Sequence, residues 1–238
     1  MEKQTDFATT HPTQLAQELL YAIKTKKPHE AHLKALQALT VEGLANDLDS
    51  QAKQLSFWIN IYNAFILLEF YKTSGEKSAN FFTKKCIAIA GQTISFDLIE
   101  HGILRRSKFK YSLGYFNKPF VGKVEKRLRV NKVDYRIHFA LNCGAKSCPP
   151  IAFYTPENIE QELELATAAY LENESIYHAS KNMVEIAKLM LWFRGDFGGK
   201  KGIIQMLRQY NIIPTDASPR LVFREYDWTV VLDNFREV

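Results

Sequence analysis

SFWINIYNAFILLEFY, residues 56–71, is apolar on every side of a helix except at Asn60 and Asn63. A helix that is hydrophobic all round is buried along its length, so this segment is the spine on which the rest must pack. The two asparagines stand three apart and share a face. A buried primary amide costs about 1–3 kcal/mol unless its hydrogen bonds are met. Asn60 and Asn63 must therefore be tied to backbone groups, to each other's partners or to a ligand. Trp58, Tyr62, Phe65 and Glu69 form one stripe of the same helix, where core packing is the default reading.

Working outward, residues 1 to about 11 are polar and expected to fray. Leu15, Leu19, Leu20 and Ile23 recur at helical spacing, and a second helix pattern follows Pro28 through Leu33, Leu36 and Leu39. Residues 1–50 thus read as a helical lead-in packed on a domain spanning 51–238. CIAIAGQTISFDLIEHGILR predicts a hairpin turning near Gly91 and Gln92, then a helix with Ser95 as N-cap, Asp97 in its first turn, and Glu100 and His101 midway. YRIHFALNC predicts a strand with Ile137, Phe139 and Leu141 on one face and His138, Ala140 and Asn142 on the other. Thr155 and Pro156 mark a helix start, and MVEIAKLMLWFR predicts an amphipathic helix ending before Gly195. LVFREYDWTVVLDNF contains strand-like segments. The sum is a single α+β domain, mostly helical, with a small antiparallel sheet.

The chain has 238 residues, of which 46% are hydrophobic and 24% charged, enough to fill a core and too apolar for disorder. The net charge of +5 comes from scattered lysines, so no nucleic-acid partner is expected. Lys118 to Lys132 alternates cations with apolar residues, as a solvated face does. No run of 18 apolar residues occurs, so no membrane span is expected. The first residues lack an apolar stretch of the secretory kind, and three cysteines are too few for a disulfide scaffold. The expected compartment is the cytoplasm, or the periplasm or exterior if a leader was trimmed.

Chemistry concentrates in HFALNCGAKSCPP, residues 138–150, where Cys143 and Cys148 follow His138. A thiolate needs a base or a positive field to exist at neutral pH. In an extended strand five residues carry Cys143 roughly 16 Å from His138, out of hydrogen-bond range. Gly144 permits a reversal that returns Cys148 toward His138, leaving His101 as the base for Cys143. Two pairings therefore compete, Cys143 with His101 and Cys148 with His138. Against both stands the plain possibility that the thiols are small buried hydrophobes. A zinc clamp of His138, Cys143 and Cys148 lacks the usual ligand spacing and a fourth ligand, so neither metal nor cofactor is expected. A Cys143–Cys148 disulfide fits so short a loop but not a reducing compartment. GDFGGKKG lacks the spacing of a phosphate-binding loop, and its Asp196, Gly198 and Gly199 read as a cap between helices.

Taken together, FWINIYNA (57–64), ISFDLIEHGILR (94–105), RIHFALNCGAKSCPPI (136–151), YTPENIEQEL (154–163), LMLWFRGDFGG (189–199) and YDWTVVLDNF (226–235) resemble the domain of unknown function 547 family. The likeness runs in order from about residue 50 onward. The chain departs mildly from the family pattern at VDYRIHF and TVVLDNF. The resemblance implies an α+β domain whose polar words converge on one site: Asn60, Asn63, His101, His138, Asn142, Cys143 and Cys148. It implies no activity.

The residues favour a thiol-dependent hydrolase or acyl transferase. Cys143 is the preferred nucleophile, with Cys148 as its neighbour and His101 or His138 as base. Asn60, Asn63 or Asn142 would orient the base or donate to an oxyanion, and Arg105 or Lys146 would hold the thiolate. The alternative is a non-catalytic module that binds a peptide or protein at an aromatic groove near Trp58 and Trp228, with the Cys/His/Asn cluster structural. Either way the partner is a small molecule or peptide of unknown identity.

Overall fold

The computed structural model describes residues 10–236; the fraying expected of the first residues falls almost wholly outside them. Four helices open the chain: α1 (Pro12–Lys24), α2 (Glu30–Ala38), α3 (Val41–Asp47) and α4 (Gln51–Lys72). Helix α4 is the expected spine, and every residue from Leu55 to Phe70 is buried. Ser50 caps its start by accepting from the Lys53 amide at 3.3 Å, and Thr73 closes its end. Helix α1 packs along α4, and α2 lies over α1 and the first hairpin. The expected hairpin forms from β1 (Ile87–Ile89) and β2 (Gln92–Ile94), but it turns at Ala90 and Gly91, one residue earlier than Gly91 and Gln92.

Ser95 then accepts from the Leu98 amide at 3.2 Å, and the chain enters a wide turn, Leu98–Leu104, with bonds from residue i to i−5. Such π-type turns gather at functional sites, and this one carries Glu100 and His101 and leads into Arg105. A short helix α5 (Lys123–Leu128) packs on it and on α3.

Residues 135–139 differ from the expected strand. They form a tight 3-10 turn, Tyr135–Phe139, capped by Asp134, whose carboxylate accepts from the Arg136 amide at 3.0 Å and grips the Arg136 guanidinium. The apolar alternation misled because both sides of this turn are buried. Ile137 enters a core built around α4, α1 and the hairpin, while Phe139 enters a second core. That second core lies among helix α6 (Ile159–Glu174), a three-stranded sheet and the helices α7 (Leu189–Trp192) and α8 (Gly199–Gln209).

The Thr155 hydroxyl accepts from the Asn158 amide at 3.3 Å, but it closes a separate turn, and α6 begins four residues later. The sheet orders β3 (Ile176–His178), β4 (Met183–Ile186) and β5 (Arg220–Phe223), with β3–β4 antiparallel and β4–β5 parallel. Strand β4 replaces the first third of the helix expected over 183–194. Val184 and Ile186 are buried while Met183 and Glu185 are only half-buried, an alternation of period two that short segments share with one turn of helix. The mostly helical α+β class stands, with one parallel pairing in its small sheets.

Candidate active site

Where the two cores meet, a cavity of about 390 Å³ opens. Its wall includes Tyr62 of α4, Asp97, Glu100 and His101, His138, Leu141, Cys143, Cys148, Trp192, Phe193, Tyr226 and Trp228. The four thiol and imidazole residues singled out in the sequence thus share one hollow. Cys143 is half-buried and Cys148 buried.

The irregular chain around the thiols is held by amides. Asn63 donates to the Ala140 carbonyl and accepts from the Asn142 amide, both at 3.0 Å. Asn142 accepts from the Gly144 amide at 2.6 Å and donates to the Pro149 carbonyl at 2.8 Å, stapling the two ends of the thiol loop. Asn60 makes a two-bond pairing with the backbone of Tyr154. All three are fully enclosed and bonded to main chain, the first of the fates that burial allowed, and none lines the cavity. Trp58 is packed in the core, whereas Trp228 stands at the cavity with its ring stacked 5.6 Å from that of Trp192.

Gly144 has φ +80°, and a Cβ there would collide with the Phe70 ring. Gly144→Ala should destabilise the fold by about 2–4 kcal/mol through left-handed backbone strain and overpacking. A urea midpoint unchanged from wild type would contradict this.

Within the loop the sulfurs of Cys143 and Cys148 lie 2.8 Å apart. The Tyr226 hydroxyl sits 3.1 Å from Cys148 Sγ and 3.8 Å from Cys143 Sγ. Tyr226 arrives there because the C-terminal arm docks on the loop: Lys146 N donates to Thr229 O at 2.8 Å and Val231 N to Gly144 O at 3.0 Å. The hydrogen bond from Cys148 lowers the Cys143 thiol to about 6 against the opposing effect of burial, helped by the Lys77 charge, the Ala145 backbone and Tyr226. Burial and the adjacent Cys143 push Cys148 the other way, so the shared proton stays on Cys148. Lys77 is the cation that acts here; its ammonium lies 5.1 Å from the Phe70 ring centre and 5.5 Å from those of Phe82 and Trp228. Lys146 is largely exposed and pairs with Asp227.

Neither imidazole is a hydrogen-bond partner of a sulfur; each is fixed by a different charged group. Arg105 Nη1 meets His101 Nδ1 at 2.7 Å, and a guanidinium can only donate, so Nδ1 accepts and the neutral ring carries its proton on Nε2. His138 Nε2 lies 2.9 Å from Asp196 Oδ2, which also accepts from Arg105 Nε at 2.6 Å. Burial alone would raise the Asp196 carboxyl, but the bonds from His138 and Arg105 hold it below its ordinary value. Ionised, it can only accept, so His138 donates from Nε2 and keeps its lone pair on Nδ1. The His138 ring stacks on Phe193 at 4.0 Å. Arg105, fully buried, therefore orders the two imidazoles rather than touching a thiolate.

Burial, then the Arg105 charge, depresses His101 to about 3, and burial lowers His138 despite Asp196. Unfolded histidines take a proton near pH 6.5, so below that the unfolded state binds more protons and stability falls as pH drops toward 3. Burial raises the Glu100 carboxyl, an opposing contribution of one group against two. The urea midpoint should therefore fall between pH 7 and pH 4.5; a flat or rising profile would show the imidazoles to be solvated.

Asp196 is the residue that sequence reasoning missed as functional; its partners His138 and Arg105 are 58 and 91 positions away. Among the described residues no group of three or more His, Cys, Asp or Glu side chains is arranged to hold a metal ion. Among the described residues no helix is long and apolar enough to cross a membrane. No curated protein and no solved structure matches the chain. A family model described as "Protein of unknown function, DUF547" matches residues 35–171, which include both thiols, both imidazoles and Arg105 but not Asp196, Tyr226 or Trp228. The chain belongs to the DUF547 family.

Proposed function

We propose that the protein is a thiol-dependent hydrolase or acyl transferase with Cys143 as nucleophile and His138, oriented by Asp196, as base. The observation that carries this reading is the sharing of one cavity by a thiol lowered to about 6 and an imidazole whose acceptor nitrogen is fixed by a buried carboxylate. The Cys143 thiolate would attack an acyl carbonyl carbon, forming the S–C bond, and the leaving group would depart protonated by solvent. Water, giving a proton to His138 Nδ1, would then break the thioester, releasing the acid and restoring the thiolate. His101, a poor base, presents an N–H and would donate to the oxyanion. This divides the two histidines by tautomer, where the sequence left their pairings open.

A second reading has one observation in its favour: the sulfurs, both free thiols, hydrogen-bond to each other and to Tyr226, not to an imidazole. On that reading the cavity binds a small molecule or peptide against Trp192, Tyr226 and Trp228, and the polar cluster is structural.

Iodoacetamide separates the two. Cys143 should label in the folded protein with a half-maximal rate near pH 6, while Cys86, pushed up to about 11 by burial, stays unmodified. Labelling of Cys143 that waits for unfolding, or that follows the midpoint near 8.5 of an ordinary thiol, would defeat the enzyme reading.

A further inference from the structure

The segment joining the wide turn to α5 presents apolar side chains to solvent in a way the fold does not require. Phe109, Tyr111, Leu113, Tyr115, Phe116 and Phe120 are all exposed, Phe116 at 71% and Phe120 at 89%. All but Phe120 stand on an ordered hairpin, and Phe120 follows it just ahead of α5. Lys108 and Asn117 form an antiparallel bridge, Phe109 N donates to Phe116 O at 2.9 Å, and Gly195 N donates to Leu113 O at 2.7 Å, fastening the tip beside Asp196. Exposed apolar patches of this extent on a structured element mark an interaction surface.

Its charge indicates the partner. Between Glu100 and Glu125 there is no acidic residue, while Arg106, Lys108, Lys110, Lys118 and Lys123 alternate with the aromatics. Lys110 and Lys118 are held by Asp97 and Glu125 at the rear, leaving Arg106, Lys108 and Lys123 without a salt-bridge partner among the described residues. Aromatic rings interleaved with cations match the headgroup zone of an anionic bilayer, where rings sink to the acyl boundary and lysines meet phosphates. A purely apolar protein interface would not gain from the cations.

We propose that the 108–117 hairpin, with the segment that runs on from it to Lys123, docks the protein on the surface of an anionic membrane. Tyr111 and Leu113 also line the cavity, so the docked face borders the cavity, and a ligand with an apolar chain could pass from the bilayer along these rings. The docking itself does not depend on the thiol chemistry.

Sedimentation with extruded vesicles tests it. Wild-type protein should bind phosphatidylcholine vesicles containing 30% phosphatidylserine at least tenfold more tightly than pure phosphatidylcholine, a preference lost in high salt. Phe116→Ser/Phe120→Ser, at exposed positions and with unchanged thermal unfolding, should weaken binding at least tenfold, and Cys143→Ser should leave it intact. No sedimentation, equal binding to both vesicles, or an unaffected double variant would each overturn the proposal. So would a wild-type dimer that the double variant turns to monomer without vesicle binding, since the surface would then join two copies of this chain.

Discussion

Replacing Asp196 with alanine is expected to lower folding stability by about 3–5 kcal/mol, the usual consequence of breaking a buried ion pair from one side. The carboxylate is wholly enclosed and is the acceptor for both Arg105 Nε and His138 Nε2. Without it a guanidinium remains buried among apolar rings, 4.6 Å from the centre of Phe193, with no counter-charge from this side chain. Asp196→Asn keeps the shape and removes the charge, so it should fold better than the alanine variant. Both bonds end on the same oxygen, Oδ2, and a guanidinium can only donate, so the asparagine oxygen takes that place, accepts from both, and leaves the imidazole proton on Nε2. Chemical denaturation reads the first effect. Histidine nitrogen shifts in labelled protein read the second, and a proton moved to Nδ1 of His138 in Asp196→Asn would contradict the assignment made from the hydrogen bonds.

The second large effect concerns Cys143 itself. A p-nitrophenyl ester should give wild-type protein a burst of p-nitrophenol, with one acyl group recovered on Cys143. Cys143→Ser should slow acylation on the order of 10⁴-fold, since a hydroxyl in the same place is scarcely ionised at neutral pH. Cys148→Ser is the informative companion. It keeps the nucleophile but exchanges the Cys148 thiol for a different donor, so acylation should persist with its pH midpoint moved. A burst that survives in Cys143→Ser, or an acyl group recovered on Cys148 alone, would remove Cys143 from the role given to it.

The parts of the fold legible in the sequence are those where one segment carries its own instruction. Helix α4 is apolar on all sides and needs no partner to declare itself buried, and Gly91 marks the hairpin that precedes the wide turn. Asn60 and Asn63 could be foreseen as tied down because enclosure forces it, but a lone helix face cannot say whether the tie is to backbone or ligand. Residues 135–139 failed for a reason of geometry: Ile137 and Phe139 enter different cores, so alternation along the chain reflected two burials, not one sheet face. Convergence of the thiols with His101 and His138 was readable as a likeness among motifs, not from spacing. Asp196 was not readable, because its role exists only once the Gly114 turn and the wide turn close on it.

The docking of the C-terminal arm across the thiol loop has a consequence for how the molecule is made. A chain emerging from the ribosome holds both sulfurs long before the stretch that brings Tyr226 over them has been translated. Until then the sulfur pair is undressed and open to stray oxidants. Maturation of this centre therefore depends on a stretch synthesised well after it, and premature termination just past the matched region would leave a nascent polypeptide with its nucleophile present but its environment unfinished.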